Sequence, residues 1–85
     1  MAQPFECSIV TPDKAVFEDQ VTYVNLPAHD GQYGVLADHA PLLTQLGAGE
    51  LQLQLPSGEN KSFTISGGFA QVNNNQLTLL TEKAS

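Results

Sequence analysis

Apolar and polar residues alternate along this chain in short runs, and turn-forming residues cut each run off before it can lengthen. Phe5, Cys7 and Ile9 alternate with Glu6 and Ser8, and Leu51, Leu53 and Leu55 with Glu50, Gln52 and Gln54. Phe63 and Ile65 alternate with Ser62 and Thr64, and Leu77 and Leu79 with Gln76 and Thr78. A period of two is the signature of a strand with one face buried and one face wet. Residues 21–26 form a further β-rich run through Val21, Tyr23 and Val24.

The breaks are as regular as the runs. Pro12-Asp13 stops the first strand, residues 27–31 read as a polar loop, and Gly34 lies in a short segment over 32–36. Gly47 and Gly49 bracket a turn. Pro56-Ser57-Gly58-Glu59-Asn60 reads as a hairpin loop. Asn73-Asn74-Asn75 reads as a second, because asparagine tolerates left-handed backbone angles. The one stretch with helical character, 37–46, carries a capping Asp38 and Pro41 in its first turn. It ends quickly at Gly47, so a loop leading into a short strand is the better reading. The pattern predicts an all-β fold: a flattened antiparallel β-sandwich or barrel of about eight to ten short strands. No linker or repeat divides the 85 residues, so residues 1–85 read as one domain.

Charge removes several functions. Nine acidic residues face three basic ones, Lys14, Lys61 and Lys83; there is no arginine, and the net charge is −6. Phosphate neutralisation needs clustered cations, so nucleic acid is excluded as a partner. An anionic membrane surface would repel the chain, and no apolar run approaches the ~20 residues of a membrane span. Met1 to Glu6 show neither basic stretch nor apolar core, so no signal peptide is expected. The lone Cys7 has no partner for an internal disulfide and alternates with core residues; a small buried side chain in a cytosolic protein is expected.

Constellations that carry chemistry are sparse. His29-Asp30 and Asp38-His39 offer two imidazoles and two carboxylates. They define an alternative reading as a small metal-binding or hydrolytic β-sandwich domain. Their spacing matches no compact metal motif. Ser66-Gly67-Gly68 lacks the Gly-x-Ser-x-Gly of a nucleophile elbow and reads as a corner between strands. No phosphate-binding loop is present. The residues alone predict no catalytic group, metal or cofactor, and point to a binding or structural module. Asp13, Glu18, Asp19, Asp30 and Asp38 crowd the first half, as a solvated face or as complement to a basic partner.

Three stretches taken together resemble a known family. They are Gly31-Gln32-Tyr33-Gly34-Val35-Leu36, His39-Ala40-Pro41-Leu42-Leu43-Thr44 and Ser66-Gly67-Gly68-Phe69. Their order and spacing are similar to the N-terminal domain of the epsilon subunit of F-type ATP synthases, called delta in mitochondria. Val10-Thr11-Pro12, residues 21–27, 46–51 and 77–84 fit the same frame. The resemblance implies a flattened ten-stranded antiparallel sandwich, here without the helical hairpin that follows it in the family. It implies a non-catalytic subunit of the central stalk, or rotor. Such a subunit binds gamma, rests on the polar loops of the c-ring among the other subunits of the complex, and helps couple proton translocation to ATP synthesis. It implies a peripheral position at the cytoplasmic face of a bacterial inner membrane, or the matrix side in a mitochondrion, without direct membrane insertion.

Residue by residue, the resemblance puts Asp30, Gly31 and Gln32 at the c-ring contact. Many members carry glutamate at the Gln32 position, which leaves Asp30 and Asp38 as the local sources of charge toward arginine-bearing ring loops. It places Asp38, His39, Pro41, Leu42 and Thr44 near gamma and the ring, and Ser66 and Gly67 at a strand corner beside the interface. Leu42 and Leu43 have opposite parity in a strand, so one is expected in the core and the other is free to dock a partner.

Overall fold

A computed structural model describes residues 3–28 and 30–85. Nine strands follow one another: β1 (Phe5–Val10), β2 (Ala15–Val21), β3 (Tyr23–Ala28), β4 (Gly31–Val35), β5 (Leu42–Gln45), β6 (Ala48–Gln54), β7 (Asn60–Ser66), β8 (Phe69–Asn73) and β9 (Gln76–Leu80). They form a five-stranded sheet in the order β2-β1-β9-β8-β5 and a four-stranded sheet in the order β4-β3-β6-β7. The inward residues of both sheets meet in one core. Ile9, Leu77 and Leu79 on the first sheet and Val24, Leu26, Leu51 and Leu53 on the second are all essentially inaccessible. The all-β sandwich read from the alternation is the fold observed.

Every pairing is antiparallel except one. β1 runs parallel to β9, from Glu6 opposite Gln76 to Val10 opposite Leu80. Strands from opposite ends of a chain need no hairpin between them, so the parallel arrangement is open to them. Period-two patterning is blind to strand direction, so the sandwich, antiparallel as expected in its other pairings, holds one parallel pair that the pattern does not announce.

The chain changes sheet at four corners, and these explain where the sequence misleads. Residues 21–26 read as one run. In the structure Val21 closes β2 and Tyr23 opens β3 in the other sheet. Between them Thr22 is buried, and both its N–H (2.7 Å) and its hydroxyl (3.2 Å) donate to the carbonyl of Gln54. Pro27, read as part of a loop, lies inside β3 opposite Gln32. Its carbonyl accepts from Gly47 N–H at 2.7 Å, beyond the last β3–β6 rung at Asn25–Gln52, so its missing N–H costs no ladder bond. The other crossings are residues 36–41, Leu46-Gly47 and Gly67-Gly68. Residues 42–45 of the helix-like stretch are strand, as the loop-then-strand reading holds.

Cys7 is 1% exposed and faces the core. Burial pushes its thiol up from 9.0 to about 12. The folded protein should therefore resist alkylation by iodoacetamide at pH 8, with labelling appearing only as denaturant unfolds it. Prompt labelling of the native state would show that this strand frays. The raised value also means that the unfolded chain releases this proton first, so Cys7's contribution to stability is complete below pH 9 and declines as pH rises from about 9 to 12.

Candidate interaction surface

The residues singled out from the sequence do not converge on one point. Asp30 and Gly31 form the β3–β4 turn, with Gly31 at φ 139° opposite Ala28. Gln32 is exposed on β4, and its Oε1 accepts from Asn25 Nδ2 at 3.0 Å. Ala28 bridges to Leu46, and Ala48 pairs with Ser66, so this turn, Ser66 and Gly67 lie toward one end of the four-stranded sheet. Ser66 ends β7 and Gly67 turns at φ 71° into the next sheet; they are the strand corner that the sequence suggested.

Asp38, His39 and Pro41 follow β4 and lie beside the β8–β9 turn. Asp38 has φ 62°, its N–H donates to Asn75 Oδ1 at 2.6 Å, and its Oδ1 accepts from Asn75 Nδ2 at 3.1 Å. The His39 ring meets the Tyr33 ring edge-on, with centroids 5.7 Å apart. His39 Nδ1 lies 2.7 Å from the Ala40 carbonyl oxygen. A carbonyl only accepts, so Nδ1 carries the proton.

The four-residue metal or hydrolytic alternative finds no support. Asp30 precedes and Asp38 follows β4, whose five residues span roughly 16 Å. No group of three or more potential metal ligands occurs among the described residues. His29 lies outside those residues.

On β5 the parity question is settled by register. Leu42 pairs with buried Val72 and packs against the core, and Thr44 pairs with buried Ala70. Leu43 points outward and is 71% exposed. Leu42, placed near gamma by the resemblance, is thus the inward member of the pair.

Leu43 belongs to a feature that the site residues above leave out. The ladders align Val10, Leu80, Phe69 and Gln45 in one row across β1, β9, β8 and β5. Leu43 lies in the next row, opposite Gln71 and diagonal to Phe69. Phe69 and Leu80 are each 54% exposed. With Val10, Pro12 and Gly68 they line an open, mainly apolar groove of about 440 Å³ on the outer face of the five-stranded sheet. The outer face of the other sheet is built of Asn25, Gln32, Glu50, Gln52, Ser62 and Thr64, with Tyr23 its one large ring. The unbroken pair Leu79-Leu80 and the Phe69 that follows Gly68 were the available signals. In each strand they put an apolar residue on the parity that faces water.

Residues 4–85 match the family described as ATP synthase, Delta/Epsilon chain, beta-sandwich domain. The chain belongs to this family. The ATP synthase epsilon chain of Lawsonia intracellularis is 45% identical over 84 residues, covering 99% of this chain and 62% of that protein. The epsilon chain of Dichelobacter nodosus is 36% identical over 85 residues, covering 100% of this chain and 59% of that protein. This epsilon-family chain therefore spans about three fifths of the length of these curated relatives. Among solved structures, a chain of the Euglena gracilis mitochondrial ATP synthase, determined with OSCP, F1 and c-ring, superimposes with a TM-score of 0.92 at 27% identity. That match covers 96% of this chain and 52% of the other. A chain of the Tetrahymena thermophila mitochondrial ATP synthase, from the central stalk and c-ring, shares the fold, with a TM-score of 0.81 at 15% identity, over 99% of this chain and 67% of that one.

Proposed function

We propose that this chain is the β-sandwich domain of a non-catalytic rotor subunit of an F-type ATP synthase. It docks on gamma through the outer face of the five-stranded sheet and helps couple proton translocation to ATP synthesis. The observation that carries the docking assignment is the outward row Val10, Leu80 and Phe69 with Leu43 beside it. A sandwich this small has little reason to keep such residues in water unless a partner covers them. Family membership supplies the identity of that partner.

In this reading the Asp30–Gln32 turn and the segment from Asp38 to Pro41 face the polar loops of the c-ring and the adjoining part of gamma. Ser66 and Gly67 hold the β7–β8 corner beside the Asp30–Gln32 turn, at the end of the sandwich away from Asp38. The domain works as a rigid coupling piece: it binds no cofactor, and acidic groups at its exposed turns complement basic loops, which raises association rate and fixes register. The subunit is peripheral, held at the cytoplasmic or matrix face by its partners, without direct membrane insertion and without nucleic acid as a partner.

Binding to purified gamma from the same source tests the reading. Co-purification and a Kd in the micromolar range or tighter are the expected results. No association at tens of micromolar in physiological salt would remove the assignment.

A further inference from the structure

The β8–β9 hairpin turns through Asn74 at φ 52° and Asn75 at φ 60°. Two successive left-handed residues between paired strands are the turn that glycine and asparagine accept best. A glycine at the second position would therefore satisfy the turn. The asparagine side chain adds something that the turn itself does not use.

Asn75 joins three parts of the chain. Its backbone carbonyl accepts from Glu6 N–H at 3.0 Å, which ties the turn to the start of β1. Its side-chain Oδ1 accepts from Asp38 N–H and its Nδ2 donates to Asp38 Oδ1, across 37 residues of sequence. Asp38 is itself held left-handed, a conformation that non-glycine residues adopt at a cost unless their surroundings fix it. The next residue is His39, whose ring rests against Tyr33. Pro41 follows and adjoins Leu43 on the outer face. Among the described residues, both hydrogen bonds that fix the start of this segment to the five-stranded sheet pass through one amide.

We propose that Asn75 is a positioning residue of the docking surface: its carboxamide latches Asp38 and presets the 38–41 segment in the conformation that meets the partner. The inference rests on the rotor-subunit reading for its partner, but the latch itself does not. A segment that is ordered before docking need not be ordered during it, and a segment in its binding conformation for a tenth of the time binds tenfold more weakly.

The test uses three variants of the full-length protein. Asn75→Gly keeps the turn and the bond to Glu6 and deletes the latch. Asn75→Asp sets two carboxylates against each other. Asp38→Asn with Asn75→Asp exchanges donor and acceptor at constant net charge and rebuilds the pair. Hydrogen exchange at the residue 38 amide is expected to accelerate roughly tenfold in Asn75→Gly and to recover in the exchanged pair. Affinity for gamma is expected to fall about tenfold in Asn75→Gly, to fall further in Asn75→Asp, and to recover in the exchanged pair relative to Asn75→Asp. Unchanged exchange in Asn75→Gly would overturn the latch whatever gamma does. Lost protection with unchanged affinity would overturn the positioning role. Failure of the unaltered protein to bind gamma would overturn the rotor reading and the positioning role with it, while the exchange data still judge the latch.

Discussion

Replacing Gly68 with alanine should remove a large share of the protein's stability. Gly68 has φ 109°, outside the region open to other residues, and a Cβ there would run into the carbonyl oxygen of Leu80 and lie 2.8 Å from Thr81 Cα. Those atoms are backbone at the end of β9, not the tip of a side chain that can swing away. Relief requires moving either the β8–β9 ladder at Phe69–Leu80 or the bond in which Leu46 N–H donates to Gly68 O at 2.8 Å. Backbone strain and a lost rung together cost about 3–5 kcal/mol, against the 5–15 kcal/mol that holds a typical domain. Its neighbour provides the contrast. Gly67 has φ 71° and nothing within 4 Å of its would-be Cβ, so Gly67→Ala should cost only about 1 kcal/mol. Urea denaturation separates the two: a large drop in midpoint for Gly68→Ala, a small one for Gly67→Ala, with slopes unchanged. Equal midpoints would mean that the corner does not approach Leu80 as described.

The same corner shows what the sequence could and could not disclose. Alternation at Leu51, Leu53 and Leu55 announces a strand because each side chain meets either core or water. That decision is local, and the structure follows it through Leu51 and Leu53 in β6, which ends at Gln54 just before Leu55. Thr22 and Pro27 were misread because their roles depend on atoms far along the chain: the Gln54 carbonyl for one, Gly47 beyond the end of a ladder for the other. The parallel β1–β9 pairing was invisible for the same reason. For the surface, motif resemblance led to the exposed turns at Asp30 and Asp38, whose residue types are distinctive. It included Phe69 and Leu80 in its motif and frame but assigned neither to the interface. Only register puts Val10, Leu80 and Phe69 in one row, and only register assigns Leu42 to the inside and Leu43 to the outside.

Phe69→Asp with Leu80→Asp should abolish docking on gamma while leaving the sandwich folded. Both side chains are 54% exposed in the free chain, so aspartate at these positions keeps its hydration and the core below loses little. Once a partner covers the face, the balance reverses. Two large apolar groups that each contribute about 1.5–3 kcal/mol on full burial are gone, and two carboxylates must be desolvated in their place. A loss of at least about 100-fold in affinity follows, since each 1.4 kcal/mol is tenfold. Leu43→Asp, at 71% exposure more open than either Phe69 or Leu80, should weaken docking by a smaller factor because it lies one row from the centre of the patch. Leu42→Asp should do something different. Its side chain packs against the core cluster, so a carboxylate there lowers stability before it affects any partner. Thermal melts paired with gamma binding distinguish the two residues: an unchanged melt with lost binding for the outward positions, a depressed melt for Leu42. The polar face of the opposite sheet supplies the control. Gln52→Ala leaves an apolar partner surface nothing to lose and should bind as the unaltered protein does. If the Phe69/Leu80 variant bound gamma undiminished while Gln52→Ala did not, the partner would sit on the four-stranded sheet, and the exposed row would need another occupant.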